Sequence, residues 1–171
     1  MAATVYLQEW NGNSGAEIAT SKSGATIRFK SADDATVDAN DPLVVPGAGV
    51  YRSYEKYLQA YLELLGGSAE ISNVEVFCTS SPIDGISIWA KQAAAYDTPL
   101  AGGYGAGGAM LGPKVDLFTK DANDPFVLGA GPYAVAGTEV ADFLILQLEV
   151  NPSATVGALA NTNIVLRYDE A

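Results

Sequence analysis

The chain has 171 residues, with nine basic against twenty acidic side chains, a formal net charge of −11 and no histidine. A chain of this length is expected to fold as one domain, residues 1–171, that buries roughly two-thirds of its extended surface without disulfides or metals. The lack of imidazole excludes Ser-His-Asp and Cys-His catalysis and histidine-ligated metals, and the acidic balance argues against a nucleic-acid partner.

The N-terminus, Met1–Tyr6, has neither the basic start nor the long apolar core of a signal peptide. The apolar runs are too short to cross a membrane. We therefore expect a soluble protein that is not exported by the standard route and has no membrane partner.

Short segments of alternating apolar and polar residues, bounded by turn residues, predict β-strands along the chain. In chain order they contain Val5 and Leu7; Ile27 and Phe29; Val74, Val76 and Cys78; Ile86, Ile88 and Ala90; Val115 and Leu117; and Ile164, Leu166 and Tyr168. The single cysteine, Cys78, is predicted to be a buried core thiol. With two longer segments, the total is about eight strands, which predicts an all-β fold, an antiparallel β-sandwich or jelly roll with long loops.

A repeated string indicates an internal duplication. The sequence Asp-Ala-Asn-Asp-Pro occurs at Asp38–Pro42 and again at Asp121–Pro125, each time followed by a short apolar stretch and a glycine-rich turn. Further along, Tyr57–Leu64 aligns with Phe143–Val150, and Asn73–Val76 aligns with Asn163–Leu166. The spacing exceeds that of solenoid repeats and favours two related half-domains.

The duplication also decides the secondary structure of the first long segment. The apolar residues of Tyr54–Leu65 fit helical and strand spacing equally well. The aligned segment Phe143–Val150 alternates as an ordinary strand does, so both segments are predicted to be strands.

Two irregular stretches, Ser31–Gly49 and Asp97–Gly112, are long for a compact domain, and such loops usually carry function or reach outside the domain. We predict that they contact neighbouring subunits; the alternative for the glycine-rich second loop is a mobile, solvent-exposed loop. The candidate contact residues in these loops and in the second string are Asp38, Asn40, Asp41, Pro42, Tyr104, Asp121, Asn123, Asp124 and Pro125.

The chemical motifs in the chain do not predict a cofactor or a metal. Gly103, Gly105 and Gly108 have the spacing of a dinucleotide-binding loop, but the required strand, helix and acidic residue are missing around them. The acidic residues of the two strings are ligands of the kind Ca²⁺ takes, yet the glycine and glutamate of an EF-hand loop are absent. Asx turns before proline explain these residues better.

No enzyme activity is predicted either. Neighbouring carboxylates such as Asp33 and Asp34 do not define the cleft of a glycosidase. Exposed aromatic side chains could present a glycan-binding face, so a carbohydrate-binding β-sandwich stays open as an alternative.

Four segments carry a resemblance to a known group of proteins. Thr26–Asp33, Tyr54–Leu58, Ile71–Val74 and Leu166–Glu170 resemble, in the same order, segments of small β-rich virion proteins of tailed bacteriophages. The resemblance implies a capsid decoration or cement protein of the virion, assembled in the host cytoplasm. Its implied partners are the major capsid protein and copies of itself, as a homo-oligomer that bridges capsid subunits. A tail or head-completion component is the alternative within the particle.

Overall fold

The computed structural model describes residues 1–22, 26–105, 108–156 and 161–171. These residues form eleven strands and a short 3₁₀ helix, Leu117–Thr119. The strands are β1 (Thr4–Asn11), β2 (Ile18–Ser21), β3 (Tyr51–Arg52), β4 (Lys56–Leu64), β5 (Ile71–Cys78), β6 (Ile86–Ala93), β7 (Gly103–Tyr104), β8 (Val115–Asp116), β9 (Phe126–Gly129), β10 (Thr138–Val150) and β11 (Ile164–Glu170).

The strands form two antiparallel sheets, which confirms the predicted all-β sandwich. The large sheet runs β2-β1-β4-β10, and β10 also pairs with β6, which in turn pairs with β8. The short strand β3 pairs with the last two residues of β10, on the edge that β4 also uses, and β7 pairs with β3. The small sheet has the order β11-β5-β9.

The core lies between the two sheets and follows from strand alternation. Alternate residues of β4 and β10 point inward, and burying each such side chain contributes about 1.5–3 kcal/mol. The large sheet supplies Leu58, Ala60, Leu62, Leu144, Leu146 and Leu148, which pack with Ile71, Val74, Val76 and Cys78 of the small sheet. Cys78 is therefore the buried core thiol that the sequence predicts.

The two aligned long segments lie side by side at the centre of the large sheet. Both are strands, as predicted, and Leu58 of β4 pairs directly with its aligned residue Leu144 of β10. In the small sheet, Val76 of β5 pairs with its aligned residue Leu166 of β11. A local two-fold axis through each antiparallel pair produces this register, because residues next to such an axis face their own equivalents.

The neighbours of these strands repeat the same symmetry. Strand β1 pairs with the outer edge of β4, and β6 pairs with the outer edge of β10. Glu9 stands opposite Leu58, as Gln92 stands opposite Leu144. The duplication seen in the sequence therefore corresponds to two related halves of the sandwich.

Parts of the strand prediction were wrong. The segment Ile27–Phe29 is not a strand; both side chains pack on the core from a loop in which the inward Lys30 pairs with loop carboxylates rather than with a sheet. Only Val115–Asp116 of the predicted strand around Val115 and Leu117 pairs with a neighbour, since the 3₁₀ helix begins at Leu117. Seven of the eight predicted strand segments are thus found, together with short strands that lack a clear alternation.

The duplicated strings themselves do not occupy equivalent structures. The second string, Asp121–Pro125, leads directly into β9, whereas the stretch after the first string, residues 43–46, is not a strand. Pro46 ends that stretch where β9 has Gly129, and proline lacks the amide that a strand ladder needs.

We expect truncation at the local two-fold axis to destabilise the sandwich strongly. Leu58→Ala leaves a cavity between β4 and the small sheet and should lower the free energy of unfolding by about 3 kcal/mol. The matched variant Leu111→Ala, at a 70 % exposed position, should change it by less than about 0.5 kcal/mol. Urea denaturation measures both values, and equal effects would contradict the assigned core.

Candidate functional site

The two long loops meet on either side of the segment that links β3 to β4. Tyr54 N donates to Lys30 O at 3.0 Å, and Glu55 N donates to Leu100 O at 3.1 Å. Gly105 N also donates to Val50 O at 3.1 Å. Residues 31–49 and the described part of 97–112 are therefore both anchored beside residues 50–55, and their exposed sides are together called the loop surface below.

A fully buried lysine holds the first loop from beneath. Lys30 is 0 % exposed, and its Nζ lies 2.7 Å from Asp34 Oδ2 and 2.7 Å from Asp38 Oδ1. Its hydrogen bonds hold the pKa of both carboxyls below their usual range and raise the pKa of Lys30. These charge-assisted hydrogen bonds hold the first part of the loop against Lys30, the residue that precedes it.

A second ionic group, below the same loop, is built on strand β1. Glu9 Oε1 accepts from Lys56 Nζ at 2.7 Å, and Glu9 Oε2 lies 3.0 Å from Lys22 Nζ. Lys56 also donates to Asp34 O at 2.5 Å, and Lys22 donates to Ala35 O at 2.7 Å. One buried carboxylate thus fixes two buried ammonium groups, and each of these binds a carbonyl of the loop.

A buried amide holds the second loop in a similar way. Gln147 of β10 is 0 % exposed, and its side chain accepts from Met110 N at 2.8 Å and donates to Gly108 O at 2.6 Å. Glu55 accepts from Leu100 N at 3.1 Å, and burial raises the pKa of this carboxyl. Arg52 donates to Gly105 O while Glu149 binds its guanidinium.

The loop surface contains five of the nine residues proposed from the sequence as subunit contacts. Asp38, Asn40, Asp41 and Pro42 lie in the first loop, where Asn40 N donates to Asp38 Oδ1 at 2.9 Å in an Asx turn. Tyr104 of β7 is 60 % exposed and stacks edge-on against Tyr51 at 4.7 Å.

The other four proposed residues lie elsewhere. Asp121 Oδ1 accepts from Asn123 N at 2.7 Å and from Asp124 N at 3.0 Å, so the second string also forms a turn, with Pro125 at its end. Arg167 of β11 donates to Ala122 O at 2.9 Å, which places this turn beside the small sheet. Within the described residues, no hydrogen bond or ion pair joins the two strings, and no group of three or more acidic or cysteine side chains is arranged to hold a metal ion.

Several exposed apolar side chains lie on the loop surface. Five large apolar residues there are at least 36 % exposed. They are Val37, Val44, Leu100, Tyr104 and Leu111. The loop surface therefore combines a backbone held by buried polar groups with apolar side chains that face outward.

Two of the aromatic residues that could present a glycan-binding face, Trp10 and Tyr57, are packed against other rings. Trp10, Tyr57, Tyr96 and Phe143 form an interlocking cluster beneath the second loop, with ring centroids 4.9–6.1 Å apart. Burial raises the pKa of Tyr57 to about 12 and also raises that of Tyr96. These rings stabilise the loop and do not form an open platform.

An open groove of about 640 Å³ lies between the two sheets, next to β11. Its lining is formed by both sheets and by the first loop, and it combines apolar and polar surface in nearly equal parts. Lining residues include Phe29, Leu43, Val45, Ile88, Leu148 and Ile164. Among the described lining residues, Arg28 is the one charged side chain.

The sequence interpretation missed the buried ionic group around Glu9. Strand alternation contains the signal, because Glu9 shares the inward face of β1 with Val5 and Leu7, and Lys56 shares that of β4 with Leu58. Opposite charges on two inward faces predict a buried pair. No alternation could have identified Lys22 and Lys30, which lie outside the regular strands.

Comparison of this chain with protein-family models, curated proteins and solved structures finds no match. Across the described residues, no helix has the length and apolar character needed to span a bilayer.

Removal of the buried carboxylate should destabilise the protein. Glu9→Gln leaves Lys22 and Lys56 without their counter-ion and is expected to lower the free energy of unfolding by about 3 kcal/mol. Glu63→Gln changes an exposed carboxylate at the other end of β4 and should have little effect. Chemical denaturation at pH 7 compares the two, and similar midpoints would show that Glu9 is not a buried counter-ion.

The carboxylates bound by Lys30 should make the fold sensitive to acid. Because the pKa values of Asp34 and Asp38 are lower in the folded state, the unfolded chain takes up their protons first. The contribution of these two carboxyls to the free energy of unfolding is therefore fully present above the ordinary aspartate pKa of about 4, and it is lost as pH falls below that value.

A pair of variants isolates this contribution. Lys30→Met should reduce the change in denaturation midpoint between pH 6 and pH 3, since both carboxyls lose their cation. Lys120→Met removes the ion pair with the exposed Asp124 and should keep the wild-type acid dependence. An unchanged dependence in Lys30→Met would contradict the assignment.

Proposed function

We propose that this chain is a non-enzymatic structural protein of a virus particle that binds the outer capsid shell and bridges its subunits. The observation that carries the proposal is the construction of the loop surface. Long loops are fixed from beneath by buried lysines and by Gln147, while their apolar side chains point outward.

A surface of this kind is suited to binding another protein. Association costs less when the contacting loops are already ordered, because fewer side chains and backbone segments have to be immobilised. Clustered exposed apolar side chains mark interaction sites on otherwise polar surfaces. Both features support a role in which the loop surface docks on a neighbouring subunit.

The net charge of the chain and its sequence resemblance support the proposal that it belongs to a virus particle. With a net charge of −11, free copies repel one another and the phosphate backbone of a packaged genome. The four segments that resemble phage virion proteins include Thr26–Asp33 and Tyr54–Leu58, which supply Lys30, Glu55 and Lys56 to the loop anchors. The proposed partners are the major capsid protein and further copies of this chain.

The location of the chain tests this function. Electron microscopy and quantitative mass spectrometry of purified particles should find the protein outside the shell at high copy number. Location in the tail or in the head-completion structure would replace the decoration role by the alternative structural role. Absence from particles would overturn both.

A pair of variants tests the loop surface itself. Leu111→Asp places a charge among the outward apolar side chains and should weaken the affinity for particles at least about tenfold, corresponding to 1.4 kcal/mol per site, and so lower occupancy at sub-saturating concentrations. Val135→Asp makes the same change at a 65 % exposed position outside the two loops and should leave occupancy unchanged. Equal occupancy of the two variants would contradict docking through the loop surface.

A further inference from the structure

Strand β11 forms an edge of the small sheet and borders the groove. Its inner edge pairs with β5, from Ile164 opposite Cys78 to Glu170 opposite Ile71. Alternate backbone amides and carbonyls of an edge strand point away from its partner and are free to pair with another strand. The first residue of β11, Ile164, also lines the groove.

The duplicated half of the sandwich shows what occupies the equivalent position. There β5 has a strand on its second side, with Val76 opposite Phe126 and Val74 opposite Gly129 of β9. Since β5 and β11 are related by the local two-fold axis, the corresponding neighbour of β11 would be residues 43–46. That stretch lines the groove but is not a strand.

The chemistry of residues 43–46 explains why they leave this edge unpaired. A proline precedes the stretch in both copies, Pro42 and Pro125, but only the first copy has a second proline within the stretch, Pro46. A proline cannot donate to a strand ladder, and Pro46 replaces the position at which Gly129 pairs in the other half. The groove thus keeps apolar side chains such as Leu43 and Ile88 in its lining, and among the described residues no strand pairs with the outer edge of β11.

The charge of the groove favours some peptide segments over others. Arg28 lines the groove and makes no ion pair with another described residue, and no carboxylate lies among the described lining residues. The strand that fills the equivalent position, β9, is preceded by an acidic residue, Asp124, whose carboxylate pairs with a cation, Lys120, at 2.9 Å. An apolar segment preceded by a carboxylate therefore complements the groove in shape and charge.

We propose that the groove binds an extended, apolar segment of a neighbouring subunit, with an acidic residue at its start, which adds to β11 as a fourth, antiparallel strand of the small sheet. Main-chain hydrogen bonds to β11 supply affinity, and alternate side chains enter the groove. The inference rests on the proposed structural role, but its test uses the free protein. The prediction about the location of the chain on particles and the prediction about peptide binding can therefore be refuted independently of each other.

The probe is a capped synthetic peptide with the sequence of residues 124–129, Asp-Pro-Phe-Val-Leu-Gly. Amide hydrogen exchange of the whole protein is followed by NMR with and without the peptide. At a peptide concentration ten times the dissociation constant, exchange of the outward amides of β11 should slow about tenfold. The amides of the central strand β5 should not change.

Two controls separate strand addition from other binding. The same peptide N-methylated at its valine and leucine keeps its side chains, but one of two neighbouring blocked amides must face β11, so it should not protect the strand. Arg28→Glu should weaken peptide binding about tenfold, roughly 1.4 kcal/mol. The control Lys91→Glu, on β6, changes the net charge by the same amount and should leave peptide binding unchanged.

Three outcomes would overturn the proposal. The first is no protection of β11 at millimolar peptide, and the second is equal binding of the N-methylated peptide. The third is a free protein in which the outward amides of β11 are already protected together with residues 43–45, which would show that the chain fills its own groove.

Discussion

The antiparallel pairing of β4 with β10 is the contact on which the rest of the sandwich depends. Every other strand of the large sheet attaches to this pair: β1 at the outer edge of β4, β6 at the outer edge of β10, and β3 at the end of β10 on the edge that β4 also uses. The inward side chains of the pair form the floor of the core on which β5 and β11 pack. Because aligned residues Leu58 and Leu144 face each other at its centre, the same pairing joins the two duplicated halves.

The two halves have kept the backbone arrangement and changed the polar chemistry. In the first half, Glu9 and Lys56 form a buried ion pair of 2.7 Å. The equivalent residues of the second half are Gln92 and Asp142, which are 2.9 Å apart near the surface. Buried charges in the first half accompany the long loop above them, whereas Gln92 of the second half donates to Leu128 O of β9 at 2.9 Å. The second half therefore completes a sheet where the first half holds a loop.

Much of this fold could be predicted from the sequence because strand alternation reports which residues face a common core. The alternation identified the long strands, the buried Cys78 and the all-β class, and the repeat resolved the ambiguous segment Tyr54–Leu65 as a strand. Alternation failed at Ile27 and Phe29, since apolar side chains of a loop can pack on a core without pairing. The repeated string was likewise a poor guide to strands, because an Asx turn before proline forms whether or not a strand follows.

The candidate site was harder to predict because it depends on contacts between residues that are distant in the sequence. Asp38 lies in an irregular loop, as predicted, whereas Tyr104, predicted to be irregular, belongs to the short strand β7. The sequence does not reveal that both stretches attach to the segment between Val50 and Glu55. The buried partners that hold the loops, such as Glu9 and Gln147, come from strands in different parts of the chain. Their effect is visible only once strand register brings them beneath the loops.

Buried charges of this kind have a structural consequence that apolar residues cannot reproduce. Replacing a buried ion pair by well-packed apolar side chains is often neutral or stabilising, so net stability alone does not account for Lys22 and Lys56. An ammonium group has three donors, and after each lysine has bound Glu9 it can also bind a loop carbonyl, that of Ala35 or Asp34. The core therefore sets the position of the first loop. The conformational entropy of this loop is lost during folding rather than on binding. The loops are therefore ordered by the core of the chain itself, whereas the outer edge of β11 has no strand paired with it among the described residues.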